Sequence, residues 1–199
     1  FDQDLGATAN SNGQVLNAHL TTTYNFTYWP KKRKKLELRV HFGQNLMYSG
    51  TQDLRYGMAL SGQSGTQDVL YEYWMMGRNE VTGFYGNQRI ENQGAFKTTS
   101  SYGTSTSMIF GTNFIFEIPY LPFVVYGDFG MFDNAGTMET MYDAGAGLRL
   151  GDAFGIYFPI VESQNMIDAY PAGIKYWNKI RFTLNMNGYK PSKMIQSAL

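Results

Sequence analysis

The sequence predicts an all-β fold, an antiparallel transmembrane β-barrel of outer-membrane type with about ten to twelve strands, complete in itself or part of a larger barrel. Three observations carry this expectation: strict alternation of apolar and polar residues over long stretches, the absence of any long apolar run, and an aromatic content of 16% that equals the charged content. From Leu16 to Tyr28 the even positions Leu16, Ala18, Leu20, Thr22, Tyr24, Phe26 and Tyr28 are apolar or tolerate lipid. The odd positions Asn17, His19, Thr21, Thr23, Asn25 and Thr27 are polar. Successive side chains of a strand face opposite ways, so this is one greasy and one wet face. Soluble strands usually stop at about five or six residues, whereas a tilted strand crossing a bilayer needs ~9 to 11.

The remaining strands repeat the pattern in chain order. Leu36, Leu38, Val40 and Phe42 alternate with Glu37, Arg39 and His41, and Met108, Phe110, Phe114, Phe116 and Ile118 oppose Ser107, Gly111, Asn113 and Glu117. Phe123, Val125, Phe129 and Met131 oppose Asp128, while Tyr142, Ala144, Ala146, Leu148 and Leu150 oppose Asp143, Gly145, Gly147 and Arg149. Phe154, Ile156, Phe158 and Ile160 follow, and Ile180, Phe182, Leu184 and Met186 interleave with Arg181, Thr183, Asn185 and Asn187. Between 48 and 103, Gly and polar residues blur the faces; the strand candidates there are 54–62, 67–76, 83–88 and 92–99. Tight turns are expected at Pro119-Tyr120-Leu121-Pro122 and Gly151-Asp152, and looser connections at 133–138 and 162–175. Short turns at one rim and long loops at the other place the short ones on the periplasmic side and 162–175 outside the cell.

Composition narrows the function classes. Formal charge is zero and the pI near neutral, so bulk electrostatics do not point to nucleic acid. The chain has no Cys, which removes thiol catalysis, thiolate metal sites and disulfides together. Tyr and Trp favour membrane interfaces. No run approaches the eighteen apolar residues of a membrane helix, and mean hydropathy is slightly negative. No charged and then apolar signal segment opens the chain at Phe1, which is read as a mature start or the tail of something longer. One domain, 1–199, with 188–199 as a tail, is the economical division.

Seven charges are expected to point into the lumen: Glu37, Arg39, Glu117, Asp128, Asp143, Arg149 and Arg181. Mixed signs there suit either a selectivity ring or an internal network of ion pairs and hydrogen bonds, since inward charges must be paired or hydrated. The inward glycines Gly111, Gly145, Gly147 and Gly155 either open a passage or let another side chain or a plug approach. His19 and His41 lie on polar faces of neighbouring strands, and a turn spanning Trp29 to Lys35 would set them about 13 Å apart. That is too far to act as a pair. Lys31-Lys32-Arg33-Lys34-Lys35 reads as a solvated hairpin turn or as a cationic dock for lipid phosphates. Tyr71-Glu72-Tyr73-Trp74-Met75-Met76 reads as an aromatic girdle or a stacking surface.

Several runs carry a family resemblance. Ser61-Gly62-Gln63-Ser64-Gly65-Thr66-Gln67-Asp68, Asn92-Gln93-Gly94-Ala95-Phe96-Lys97, Tyr142-Asp143-Ala144-Gly145-Ala146-Gly147-Leu148-Arg149-Leu150, Ile156-Tyr157-Phe158-Pro159-Ile160 and Tyr176-Trp177-Asn178-Lys179-Ile180-Arg181-Phe182-Thr183-Leu184-Asn185 resemble the C-terminal region of Bacteroidota M1-family (gluzincin) metallopeptidase-like proteins, over roughly residues 25 to 195. The resemblance implies a membrane-associated β-barrel region behind a zinc aminopeptidase domain. Such a domain needs a His-Glu-x-x-His helix, whereas His19 and His41 are followed by Leu20 and Phe42, so no catalytic, cofactor or zinc residue carries over to this chain. The expected function is an anchor or scaffold in the bacterial outer membrane, with the lipid bilayer, lipopolysaccharide and other outer-membrane proteins as partners, no nucleic acid, and zinc only in an upstream peptidase domain. The alternatives are a small pore or accessory barrel subunit of an outer-membrane complex, and a soluble β-rich binding domain whose apolar faces bury one another.

Overall fold

Long alternating stretches become long strands. A computed structural model of the chain describes residues 2–10, 13–32, 34–49, 57–63, 68, 73, 75–80, 83–98, 100, 102–150 and 154–184. The strands are β1 (Asp2–Asn10), β2 (Gly13–Trp29), β3 (Lys34–Ser49), β4 (Met58–Ala59), β5 (Thr104–Ser105), β6 (Met108–Glu117), β7 (Phe123–Asn134), β8 (Thr137–Leu150), β9 (Phe154–Glu162) and β10 (Arg181–Leu184). Eight of them form one antiparallel sheet in the order β1-β2-β3-β6-β7-β8-β9-β10, while β4 pairs only with β5. The sheet curls into a half-barrel. Arg149 on β8 and Glu37 on β3 stand three strand spacings apart, roughly 14 Å along a flat sheet, yet their side chains meet at 3.1 Å across the concave side.

Register keeps the two faces separate. Leu38 lies between Tyr24 and Phe114, Phe129 lies opposite Tyr142, and Ala146 opposite Phe158, all on the convex side. Arg39 opposes Asn113, Asn113 opposes Asp128, and Asp128 opposes Asp143 on the concave side. Burial follows chemistry in the inverse of a water-soluble sheet. Tyr24 is 61% exposed, Phe129 43% and Ile160 71%, whereas Arg39, Asp128 and Asp143 are 6%, 3% and 1% exposed.

The turns differ partly from expectation. Ile118 N donates to Phe123 O at 2.8 Å across the tight Pro119–Pro122 connection, while residues 151–153 lie outside the described residues. The 133–138 connection is not loose: Asn134 pairs with Thr137, leaving a two-residue turn at Ala135 (φ 52°) and Gly136 (φ 90°). Two positive φ values match the twist of flanking strands, which is why such turns close hairpins tightly. The 162–175 stretch is a long connection, and it contains a short helix, α1 (Gln164–Asp168), that inserts Met166 into the core.

The larger correction concerns the strand candidates between 48 and 103. Residues 83–88 contain a 3-10 turn at Tyr85–Asn87, and 92–99 is no strand among its described residues. Of 54–62 only Met58–Ala59 is a described strand, and most of 67–76 lies outside the described residues. Around Leu60 and 93–98 the described residues of this segment lie on the concave face, while Gln88 bridges Phe182 at the edge of β10 in parallel and Arg89 N donates to Phe182 O at 2.7 Å. Its buried residues, Met58, Leu60, Phe96, Lys97 and Thr98 among them, meet protein on several sides, so they have no two-environment alternation to display.

Candidate functional site

Against β6–β9 the concave face is a layered interior. Near the rim where the β7–β8 turn and α1 lie, Ile109, Phe132 and Met141 of the wall pack with Met58, Leu60 and Phe96 of the insert and with Met166. Toward the opposite rim, Ile115, Val124, Tyr126 and Tyr157 form a second apolar cluster. Between them runs a charged layer.

That layer starts from a repulsion that the insert relieves. Asp128 and Asp143 are cross-strand partners on the same buried face, and like charges so placed destabilise a sheet. Lys97 of the insert answers Asp128 twice, through Nζ to Oδ1 at 2.7 Å and through its backbone N to Oδ2 at 2.7 Å. Both charged side chains are fully buried. The Thr98 hydroxyl donates to Asp143. Asn113 donates to Asp128 Oδ1 at 3.0 Å and to Gly94 O at 2.9 Å, and accepts from Arg39 Nη1 at 3.1 Å.

Three buried arginines hold the insert by its backbone. Arg39 Nη1 donates to Gln93 O at 2.7 Å, Arg89 Nε to Phe96 O at 2.9 Å, and Arg181 Nη1 to Ser61 O at 2.9 Å. Loop carbonyls placed away from water need such donors. Two glycines make the fit sterically possible: a Cβ at Gly111 would come within 3.0 Å of Gly94 Cα, and one at Gly130 within 2.9 Å of both Leu60 and Phe96 side chains. Of the inward glycines, Gly111 therefore admits the insert, while Gly145 makes room for the Tyr126 ring. Glu91 of the insert is exposed and stands near a cluster of cations. Desolvation works to raise its carboxyl, yet Arg89, Lys97, Arg149 and Arg39 outweigh that and hold it below the ordinary carboxylate range.

All seven sequence-predicted charges share the concave register face. Arg39, Asp128, Asp143 and Arg181 are brought together with the insert, and Glu37 and Arg149 pair with each other. Glu117 stands apart at the rim, where its Oε2 accepts Lys35 N at 3.2 Å. Sequence reading missed Lys97, Arg89 and Thr98, because no periodicity surrounds them. A lysine inside the apolar-flanked run Ala95-Phe96-Lys97 was the available signal.

The histidines are closer than expected. His41 pairs with Thr21 rather than Thr23, because the β2–β3 turn is tighter than Trp29 to Lys35, and the two rings stand 6.1 Å apart between centroids. The basic run closes that turn: Lys34 Nζ donates to Leu121 O at 2.8 Å and Lys35 Nζ lies 4.0 Å from Glu37. Tyr71, Glu72 and Trp74 lie outside the described residues, and the Tyr73 N–H donates to the buried Asp68 carboxylate, which Arg78 also contacts at 2.7 Å. Aromatic residues mark both rims, with Trp29 against Tyr120 at 4.6 Å at one and Tyr176 beside Trp177 at the other. No helix among the described residues is long and apolar enough to cross a membrane, and no group of three His, Cys, Asp or Glu residues is placed to hold a metal.

No protein-family model, no curated protein and no solved structure matches the chain.

Proposed function

We propose that the chain is the wall and plug of an outer-membrane β-barrel that serves as a membrane anchor or scaffold, without chemistry of its own. The observation that carries the reading is the pairing of an apolar, exposed convex face with a concave face whose charges meet Leu60, Phe96, Lys97 and their described neighbours from the insert of the same chain. Exposed aromatic and aliphatic residues repeated over neighbouring strands have no favourable partner in water, whereas lipid accepts them. The wall strands β6, β7, β8 and β9 have 10, 12, 14 and 9 residues, the length a tilted crossing needs. Aromatic pairs at both rims suit the two interfaces. A plugged interior favours anchor over pore, because the position a selectivity ring would occupy is taken by Lys97, Thr98 and backbone carbonyls of the insert.

In this reading the resemblance to the C-terminal region of M1-type peptidases makes the barrel the support for a zinc aminopeptidase encoded upstream, in the bacterial outer membrane. A second reading, an accessory wall in a larger outer-membrane assembly, draws on the open side of the half-barrel. There Thr23, Asn25 and Thr27 of β2 carry concave-side parity but stay exposed.

Refolding residues 1–199 with and without detergent, with heated and unheated gel mobility compared, tests the proposal. A detergent-dependent, heat-modifiable β species is expected, with no conductance when reconstituted in planar bilayers. Folding in plain buffer would remove the membrane reading, and steady ionic current would replace anchor by pore. Recovery only with a copurified envelope protein would favour the accessory wall.

A further inference from the structure

We propose that His19, His41 and Met58 form a site for a soft monovalent cation, Cu(I), on the concave face beside Gly43. His41 is 2% exposed, and its two ring nitrogens have different surroundings. Nδ1 stands 2.7 Å from the Thr21 hydroxyl, while Nε2 has no hydrogen-bond partner among the described residues. With the Nδ1 proton donated to Thr21 Oγ1, Nε2 carries its lone pair inward, the arrangement by which a second hydrogen bond orients a ligating imidazole.

That lone pair faces a gap left by a missing side chain. The position a Cβ on Gly43 would occupy is 3.2 Å from His41 Nε2 and 2.8 Å from Met58 Sδ, so an imidazole nitrogen and a thioether sulfur look onto one niche. His19 is the cross-strand partner of Gly43 and brings a second imidazole to the same place. A metal–nitrogen bond of roughly 2 Å, added to about 1 Å from ring nitrogen to ring centre, sets two linearly ligating imidazoles about 6 Å apart. The observed centroid separation is 6.1 Å. Met58 comes from the insert and the histidines from the wall, so a bound ion would also fasten the two.

The donor set selects the metal. Thioether and neutral imidazole are soft and uncharged, which suits Cu(I) and its low coordination number, whereas structural zinc wants four ligands of which thiolate or carboxylate are common members. His19 is only half-buried, which leaves the ion a way in, while Met58 at 4% exposed keeps the sulfur shielded.

The test is an anaerobic titration of the full chain, refolded in detergent, with Cu(I) against bicinchoninate, repeated with Ag(I) as a redox-inert probe. One equivalent retained against the competitor is expected. His41→Ala and Met58→Leu should each weaken retention at least tenfold, and Gly43→Ala should do so by filling the niche, while Met76→Leu at an exposed methionine leaves it unchanged. Met58→Leu conserves volume and keeps the fold, so it decides the matter alone if His41→Ala loses heat-modifiability. No retained metal, or retention equal in wild type and Met58→Leu, would overturn the site.

Discussion

The β6–β9 wall and the insert between β3 and β6 are built from the same residue types, yet only the wall declares itself in the sequence. Along β7, Val124, Tyr126, Asp128, Gly130 and Phe132 turn inward while Phe123, Val125, Phe129 and Met131 turn outward. Each wall residue has one of two environments, so the strand's period of two is printed in its polarity. Residues 92–98 of the insert are enclosed differently: Gly94 is pressed between Leu60 and Gly111, Phe96 sits in an apolar cluster, and Lys97 is paired with Asp128. Polarity there is set by whichever wall residue each side chain meets. A wall is readable from its own sequence; a plug is readable only from its socket.

The strongest way to break the comparison is to remove the charge that joins the two regions. Lys97→Met takes the ion-pair partner from the buried Asp128, and loss of one partner of a buried pair costs about 3–5 kcal/mol. Guanidinium unfolding of the detergent-folded chain should show that loss, largely recovered in Lys97→Met combined with Asp128→Asn. Next in size is Phe129→Arg on the convex side, which costs ~2–4 kcal/mol if the position is at bilayer depth. The same substitution in a water-facing strand would cost almost nothing, so equilibrium folding into lipid vesicles separates the two environments.

Gly130→Val sharpens the contrast by acting on the socket alone. Its new side chain meets Leu60 and Phe96, and overpacking of this kind costs about 1–3 kcal/mol. Limited proteolysis should cut within 57–105 faster than in wild type, while heat-modifiability of the wall persists. The smallest effect is expected from Glu91. Its carboxyl is held below its unfolded value, so its contribution is present above about pH 4 and is lost as pH falls through the lower folded value. Wild type should therefore lose more stability on acidification below that pH than Glu91→Gln, read as the difference in unfolding midpoint.

What was legible follows the same division. Strand alternation located β2, β3, β6, β7, β8 and β9, and assigned Glu37, Arg39, Asp128, Asp143, Arg149 and Arg181 to one face, because each of those signals is local in sequence. The partners of those charges were not legible. Lys97 meets Asp128 across thirty-one positions and Arg149 meets Glu37 across one hundred and twelve, and nothing in either neighbourhood marks the other. The tight turn at Ala135-Gly136 was overlooked because Ala rarely adopts a positive φ. Phe182 follows the convex parity of its partner Ile156 yet is buried, since Phe84 of the insert stacks on it at 4.8 Å.

The most direct test uses the absence of cysteine in the chain. Single cysteines placed in turn along 123–132, spin-labelled and reconstituted in lipid vesicles, report collision with oxygen, which concentrates in lipid, and with a water-soluble nickel chelate. Oxygen-dominated collisions are expected at 123, 125, 129 and 131, and low collisions with both reagents at 124, 126 and 132, where the insert covers the concave face. Nickel-dominated collisions at the outward positions would contradict a lipid-facing wall, and nickel access at 124 and 126 would contradict the plug.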